Sequence, residues 1–416
     1  MADDPAPTRK QLSDVIAPGL DDVSTPASTD GVLQLAGEQA ALPDASTTPR
    51  PIRKRFAVPV AFRHEERTLV AATGRVPPLD PNPFKLGILG GKESGKSYLF
   101  QSMVYRLYRG SFGPMGYFMG DAAISVYEAH TRATADGTDL SEFQALQIDA
   151  MVRDFKLWYR LPTTKFELQR WFRLQFPFRT GWLGRRRSTI EVSFLDGSGE
   201  ILEQGVRDDN IELWRKAFVD AEVMVFCLPM WCAFPYLPSM TDDDWEDVDK
   251  RLTKFGNVLT SYRELRKEAA KASEKPPARV TVIVALTMAD DIHCEGESQH
   301  SWVQKYLKNA DRLLGTLRTG SGVSRYLANA RLVSRRLIAA CDSPKVDERI
   351  SNLRKLDFGR GEPWLIPMSA LDGHKLLSAE RSELPESDRR RLGPPVPAHV
   401  ELPLLIALSE RYNALA

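Results

Sequence analysis

The sequence predicts an α/β fold: a doubly wound, mostly parallel sheet with a helical insertion, behind a disordered N-terminal tail. Three observations predict it. From Phe84 onward, short apolar runs alternate with longer amphipathic ones, the order expected of a sheet covered by helices on both faces. Before Phe84 lie twelve of the 28 prolines, which puts the main boundary at that point. Hydrophobic residues at 43% and charged residues at 27% are ordinary globular proportions, in a 416-residue chain long enough for one enlarged domain plus tails.

Residues 1–55 contain no Phe, Trp or Tyr, and their few apolar residues follow no period. Such a stretch buries too little surface to offset chain entropy, so it is expected to be disordered. Residues 56–83 hold FAVPVAF, an edge strand because Pro59 cannot serve a central ladder, and then the stiff connector RVPPLDPNP. Residues 84–416 are the main domain. Its strands are expected at Leu86–Leu89, Phe172–Phe178, Ile190–Leu195, Val223–Leu228, Val280–Leu286 and Trp364–Met368. Helical patterns fill 97–109, 200–220, 243–272, 301–318 and 398–415. Too few residues join the strands at 172–178 and 190–195 for a crossover helix, so that pair reads as an antiparallel hairpin. Residues 111–159, with helical sequence at 141–159, are expected to be the helical insertion, and 384–397 a loop before the closing helix.

Composition narrows the function classes. With 56 Lys+Arg against 55 Asp+Glu, no global basic field argues for nucleic acid or a membrane surface. Four cysteines without paired spacing make no disulfide framework or zinc site, which points to a reducing, cytoplasmic setting. No apolar run approaches the ~18–20 residues that span a bilayer. The opening MADDPAP lacks the basic charge and apolar block of a signal peptide. The six histidines show no metal-ligand spacing.

At the end of the first strand stands Gly90-Gly91-Lys92-Glu93-Ser94-Gly95-Lys96-Ser97, which fits G-x-x-x-x-G-K-[ST]. The glycines let backbone N–H groups curl round a phosphate, and the helix that follows turns its positive dipole end toward it. Lys96 would reach the β- and γ-phosphates, and the Ser97 hydroxyl would take a position on Mg²⁺.

Further patterns follow in a set order. Asp196-Gly197-Ser198-Gly199 ends the strand Ile190–Leu195 and fits D-x-x-G; Thr287-Met288-Ala289-Asp290 closes VTVIVAL and is similar to [NT]-K-x-D; Ser369-Ala370-Leu371 follows the last strand and is similar to S-A-K/L. With the phosphate loop, they make the chain resemble P-loop GTPases of the translation-factor/Ras-like class. The resemblance implies that Asp196 holds a Mg²⁺-bound water and that Gly199 donates its N–H to the γ-phosphate. It also implies that the Asp290 carboxylate reads guanine N1–H and N2–H, and that the Ser369-Ala370 turn meets guanine O6. Met288 stands where the family has Lys, supplying apolar cover but no ammonium. The Glu93-Ser94 pair in the loop and Arg160-Leu161-Pro162-Thr163-Thr164 look like heterotrimeric G-protein α subunits. That likeness implies a catalytic finger at Arg160, paired in some states with Glu93, and a Mg²⁺ and γ-phosphate ligand at Thr163 or its neighbour Thr164. Bacterial conflict-operon GTPases, with long insertions and a degenerate guanine motif, resemble the chain about equally.

After D-x-x-G the family places Gln, and here Glu200 stands. A carboxylate there accepts a proton from attacking water as a general base, yet a full charge about 4 Å from a γ-phosphate oxygen costs on the order of 4 kcal/mol at an effective dielectric of 20. Glu200 therefore reads as a base, a partly protonated acid, or the N-terminal acid of the helix 200–220. The stretch RWFRLQFPFRTGWLGRRR at 170–187 interleaves basic and aromatic residues. Its plainest reading is an edge hairpin with one buried aromatic face and solvated arginines at the turn; its second is a protein-partner surface. The expectation is a GTPase binding GTP or GDP with Mg²⁺, whose switch segments near 160–165 and 196–206, and whose 170–195 hairpin, meet a protein effector. A non-hydrolysing nucleotide-gated scaffold and an ATPase are the alternatives.

Overall fold

The computed structural model describes residues 82–91, 93–108, 124–134, 137–157, 159, 170–180, 186–196, 214–233, 241–273, 279–289, 301–310, 312–313, 320–341, 359–370 and 394–412. The expected tail 1–55, the edge strand near Phe56 and most of the connector lie outside them.

Among the described residues nine strands form one sheet: β1 (Phe84–Gly90), β2 (Ser125–Thr134), β3 (Gly137–Leu140), β4 (Gln144–Ala145), β5 (Arg170–Thr180), β6 (Arg186–Asp196), β7 (Val223–Pro229), β8 (Thr281–Thr287) and β9 (Trp364–Pro367). Their order is β3-β2-β5-β6-β1-β7-β8-β9, with β4 on β2. The helices are α1 (Lys96–Tyr108), α2 (Ile148–Lys156), α3 (Met230–Ala233), α4 (Asp242–Ser273), α5 (Ser301–Lys308), α6 (Gly320–Cys341) and α7 (Leu402–Tyr412), with a π-helical turn at Arg215–Val219.

Every residue of β7 and β8 is buried, as are all but Lys85 in β1, so these unbroken apolar runs sit at the centre with both faces covered. On one face Phe100 of α1 meets Phe194 of β6 at 5.1 Å and Phe172 of β5 at 5.8 Å between ring centroids. Register puts Ile88 beside Phe194, so Gly87 faces the other way. There a Cβ on Gly87 would lie 2.7 Å from Phe218 of the π-helical turn, and Tyr262 of α4 packs edge-on against Phe226. Helices therefore lie on both faces. The closing helix α7 is buried from Leu402 to Leu408 against β7, β8 and α6.

Three expectations need correction. The sheet is mixed rather than mostly parallel: β6-β1-β7-β8-β9 pair in parallel, whereas β5–β6, β2–β5, β2–β3 and β2–β4 are antiparallel. The insertion is not simply helical, because Ser125–Thr134 and its neighbours are strands, and among its described residues the helix is Ile148–Lys156. An exposed ladder on β5 is a strong template for another strand, and β2 occupies it. For the same reason β5 is not an edge. Trp171 and Phe172 point to opposite faces and both are buried, so the hairpin stem has two covered faces instead of one. The Arg173 guanidinium lies over the edge-to-face pair of Phe143 and Trp171, 4.2 and 4.3 Å from their ring centroids, and reaches the buried Glu191 carboxylate at 3.6 Å. The side chains of 170–176 and 189–195 are buried or half-buried, and those of 177–188, where the expected partner surface would have to lie, fall outside the described residues.

The 22-residue α6 was not anticipated. Val323, Tyr326, Leu327, Ala330, Val333 and Leu337 follow helical spacing along its buried side, but it opens on Gly320-Ser321-Gly322, which reads as a loop. Of the expected helix 200–220 only residues from Trp214 on are described. The helix expected from 398 begins at Leu402, because Ala398 pairs instead with Ser369.

Candidate functional site

Strand β1 ends at Gly90 and α1 starts at Lys96, so Gly90–Ser97 is the turn between them. Two residues of this turn are left-handed, Glu93 at φ 60° and Gly95 at φ 78°. Gly95 suits that conformation, and any Cβ there would also stand 3.0 Å from Thr287. At Gly90 a Cβ would fall 2.3 Å from Ser94 Oγ. The turn is thus closed to side chains at Gly90 and Gly95. Lys96 Nζ donates to the Gly91 carbonyl at 3.0 Å, with the side chain buried at the floor of the turn. Ser94 Oγ is buried and has no hydrogen-bond partner among the described residues.

The strand ends bring other motifs here. Strand β6 runs parallel to β1 with Ile88 opposite Phe194, so Asp196 ends β6 at the sheet edge where Gly90 ends β1. Strand β8 ends at the same edge, and Thr287 Oγ1 donates to the Ser94 carbonyl at 2.6 Å across 193 positions of sequence. Met288 follows with φ 53°, and Ala289 N–H donates to Met368 O at 3.1 Å. The ends of β8 and β9, and with them Ser369 and Ala370, are therefore neighbours of the loop's flank. Ser369 exchanges both backbone hydrogen bonds with Ala398, so its own N–H is engaged. Under the loop, Cys227 is buried and its thiol is pushed up to about 12 by desolvation, against the pull of Lys96. It is a neutral packing residue.

Arg160, Thr163, Thr164, Gly199, Glu200 and Asp290 lie outside the described residues, and of Asp196 only the backbone is described. The expected pairing of Glu93 with Arg160 is therefore not on view. What the structure puts on Glu93 is Arg251 of α4, at 2.8 Å from Oε2. No motif marks Arg251; its i,i+4 relation to Asp247 on a helix was the only sequence signal available.

No family model and no curated protein matches the chain. Among solved structures, the Drosophila kinesin family member Kin10/NOD in complex with divalent manganese and ADP matches at 13% identity and a TM-score of 0.21, covering 45% of this chain and 77% of that one. Among the described residues no helix is long and apolar enough to cross a membrane.

Proposed function

We propose that this protein binds GTP with Mg²⁺, hydrolyses it to GDP, and works in the cytoplasm as a nucleotide-dependent conformational switch. The observation that carries the reading is the meeting of Thr287 with Ser94. A phosphate-loop sequence and a guanine-type motif, 193 positions apart, share one hydrogen bond at the carboxyl ends of β1 and β8, parallel strands on either side of β7, the side of an open α/β sheet where ligands bind. The tight glycine turn and the orphaned Ser94 hydroxyl fit a phosphate group.

In this reading the backbone of 90–97 and Lys96 hold the phosphates, while Ser97, Asp196 and Thr163 hold Mg²⁺, whose charge offsets that of the phosphate oxygens. Water attacks the γ-phosphorus, the bond to the β–γ bridging oxygen breaks, and GDP and phosphate leave. Glu200 takes the water's proton, and Arg160 stabilises charge moving onto the bridging oxygen. Asp290 selects guanine, and the N–H for O6 comes from Ala370, since that of Ser369 is engaged. Loss of the γ-phosphate releases the segments 160–165 and 196–206, where a protein effector would read the change.

Melting curves with GDP, GTPγS, ADP and ATPγS, with and without Mg²⁺, test the reading. Stabilisation by the guanine nucleotides alone is expected. Asp290→Asn should weaken GTP and favour xanthosine triphosphate, which carries a carbonyl where guanine has its amine, with discrimination of about 10²-fold or more. Equal stabilisation by adenine nucleotides would remove the guanine assignment. Met288 supports a second reading, a nucleotide-gated scaffold that does not hydrolyse: it lacks the usual ammonium and holds a left-handed backbone. Single-turnover hydrolysis separates the two.

A further inference from the structure

Glu93 stands at the crest of the phosphate loop in a left-handed conformation that a non-glycine residue keeps only when its surroundings hold it there. Among the described residues, the side chain that holds it is that of Arg251. Arg251 Nη2 lies 2.8 Å from Glu93 Oε2, and its Nη1 donates to the Glu93 backbone carbonyl at 3.4 Å. A single guanidinium thus grips both the side chain and the main chain of the same residue, which fixes the peptide's direction as well as the carboxylate.

The guanidinium is itself held from two sides. Its Nε donates to Asp247 Oδ2 at 2.8 Å, one turn earlier on α4, and its Cζ lies 5.1 Å from the Trp231 ring centroid of α3. Its side chain is 18% exposed against 57% for Glu93, so the arginine is the anchored member and the loop is the member being positioned. A carboxylate at the mouth of a phosphate cradle also repels the ligand unless a cation offsets it. We propose that Arg251 is the positioning residue of the phosphate loop. It keeps Glu93 left-handed and neutralised so that the cradle accepts a polyphosphate, and it ties the 32-residue α4 to the state of that cradle. The inference rests on the nucleotide reading for its ligand and on the geometry alone for the grip.

Two measurements on the full chain test it. Without nucleotide, Arg251→Ala should raise hydrogen exchange at the amides of Glu93–Lys96 roughly tenfold beyond any change at the amides of the central strand β7. In titrations with GDP and Mg²⁺, the same variant should bind on the order of tenfold more weakly, the size expected when a left-handed residue loses its support. Arg251→Lys keeps the charge without the two-pronged contact and should recover only part of the loss. In a Glu93→Gln background, the further effect of Arg251→Ala should shrink. Equal losses in both backgrounds, or unchanged exchange and unchanged affinity, would overturn the proposal. If the wild type binds neither GDP nor ADP, the nucleotide reading falls, and the exchange measurement still decides whether Arg251 holds the loop.

Discussion

Lys96 illustrates what a side chain's motif tells and what its surroundings add. The motif makes it a phosphate ligand, so Lys96→Ala should abolish nucleotide binding, checked by titration with GDP and Mg²⁺. Its ammonium is also buried against the Gly91 carbonyl, so the substitution should cost stability too, about 1–3 kcal/mol in denaturant unfolding. Arg160→Ala is expected to leave GTP affinity nearly intact and slow single-turnover hydrolysis at least a hundredfold, since a guanidinium finger is worth roughly 10³–10⁵ in rate. An unchanged rate would assign the finger elsewhere. The loop residues were legible because one short string dictates the whole turn. Arg251 was not, because a carboxylate 158 positions away leaves no local mark on an arginine.

The central strands were legible element by element. FKLGILG, VMVFCLP and TVIVALT are apolar nearly throughout, which only a strand buried on both faces sustains at that length. Strands β2 to β4 were missed although Asp136-Gly137 is a hairpin dipeptide, because the polar residues of SVYEAHTRAT dilute its apolar alternation. Helix α6 joins the sheet through Ser334, whose buried hydroxyl accepts the Leu365 N–H of β9 at 2.8 Å. Ser334→Ala leaves that N–H without its acceptor inside the core. The expected loss is about 1–3 kcal/mol, measured as a lower denaturant midpoint with unchanged slope. A variant as stable as wild type would show that water or a backbone shift replaces the hydroxyl.

Across the whole molecule, acid should act through the seam where α7 closes the fold. His399 is fully buried, stacked on Tyr306 at 3.9 Å, with Nδ1 2.7 Å from the Tyr326 hydroxyl, and burial pushes its pKa down from 6.5 to about 3. Between those values the unfolded chain binds a proton that the folded chain refuses. The stability His399 contributes is therefore complete above about 6.5 and lost as pH falls toward about 3, by at most ~1.4 kcal/mol per pH unit. At its φ of 61°, His399→Asn is a replacement the backbone tolerates while keeping a polar side chain. Melting temperature followed from pH 7 to pH 4 should fall less steeply in that variant, and parallel curves would clear His399 of the role. None of this seam is readable from Ala398-His399-Val400-Glu401, which looks like the start of a helix. By itself the sequence determined the alternation of strand and helix, the central strands and the turn Gly90–Ser97, because each depends on residues adjacent in the chain. Only the tertiary structure decided that β2 closes the edge of β5, that Thr287 meets Ser94, and that Arg251 grips Glu93. Those contacts join positions far apart in sequence, and nothing in one partner's neighbourhood specifies the other.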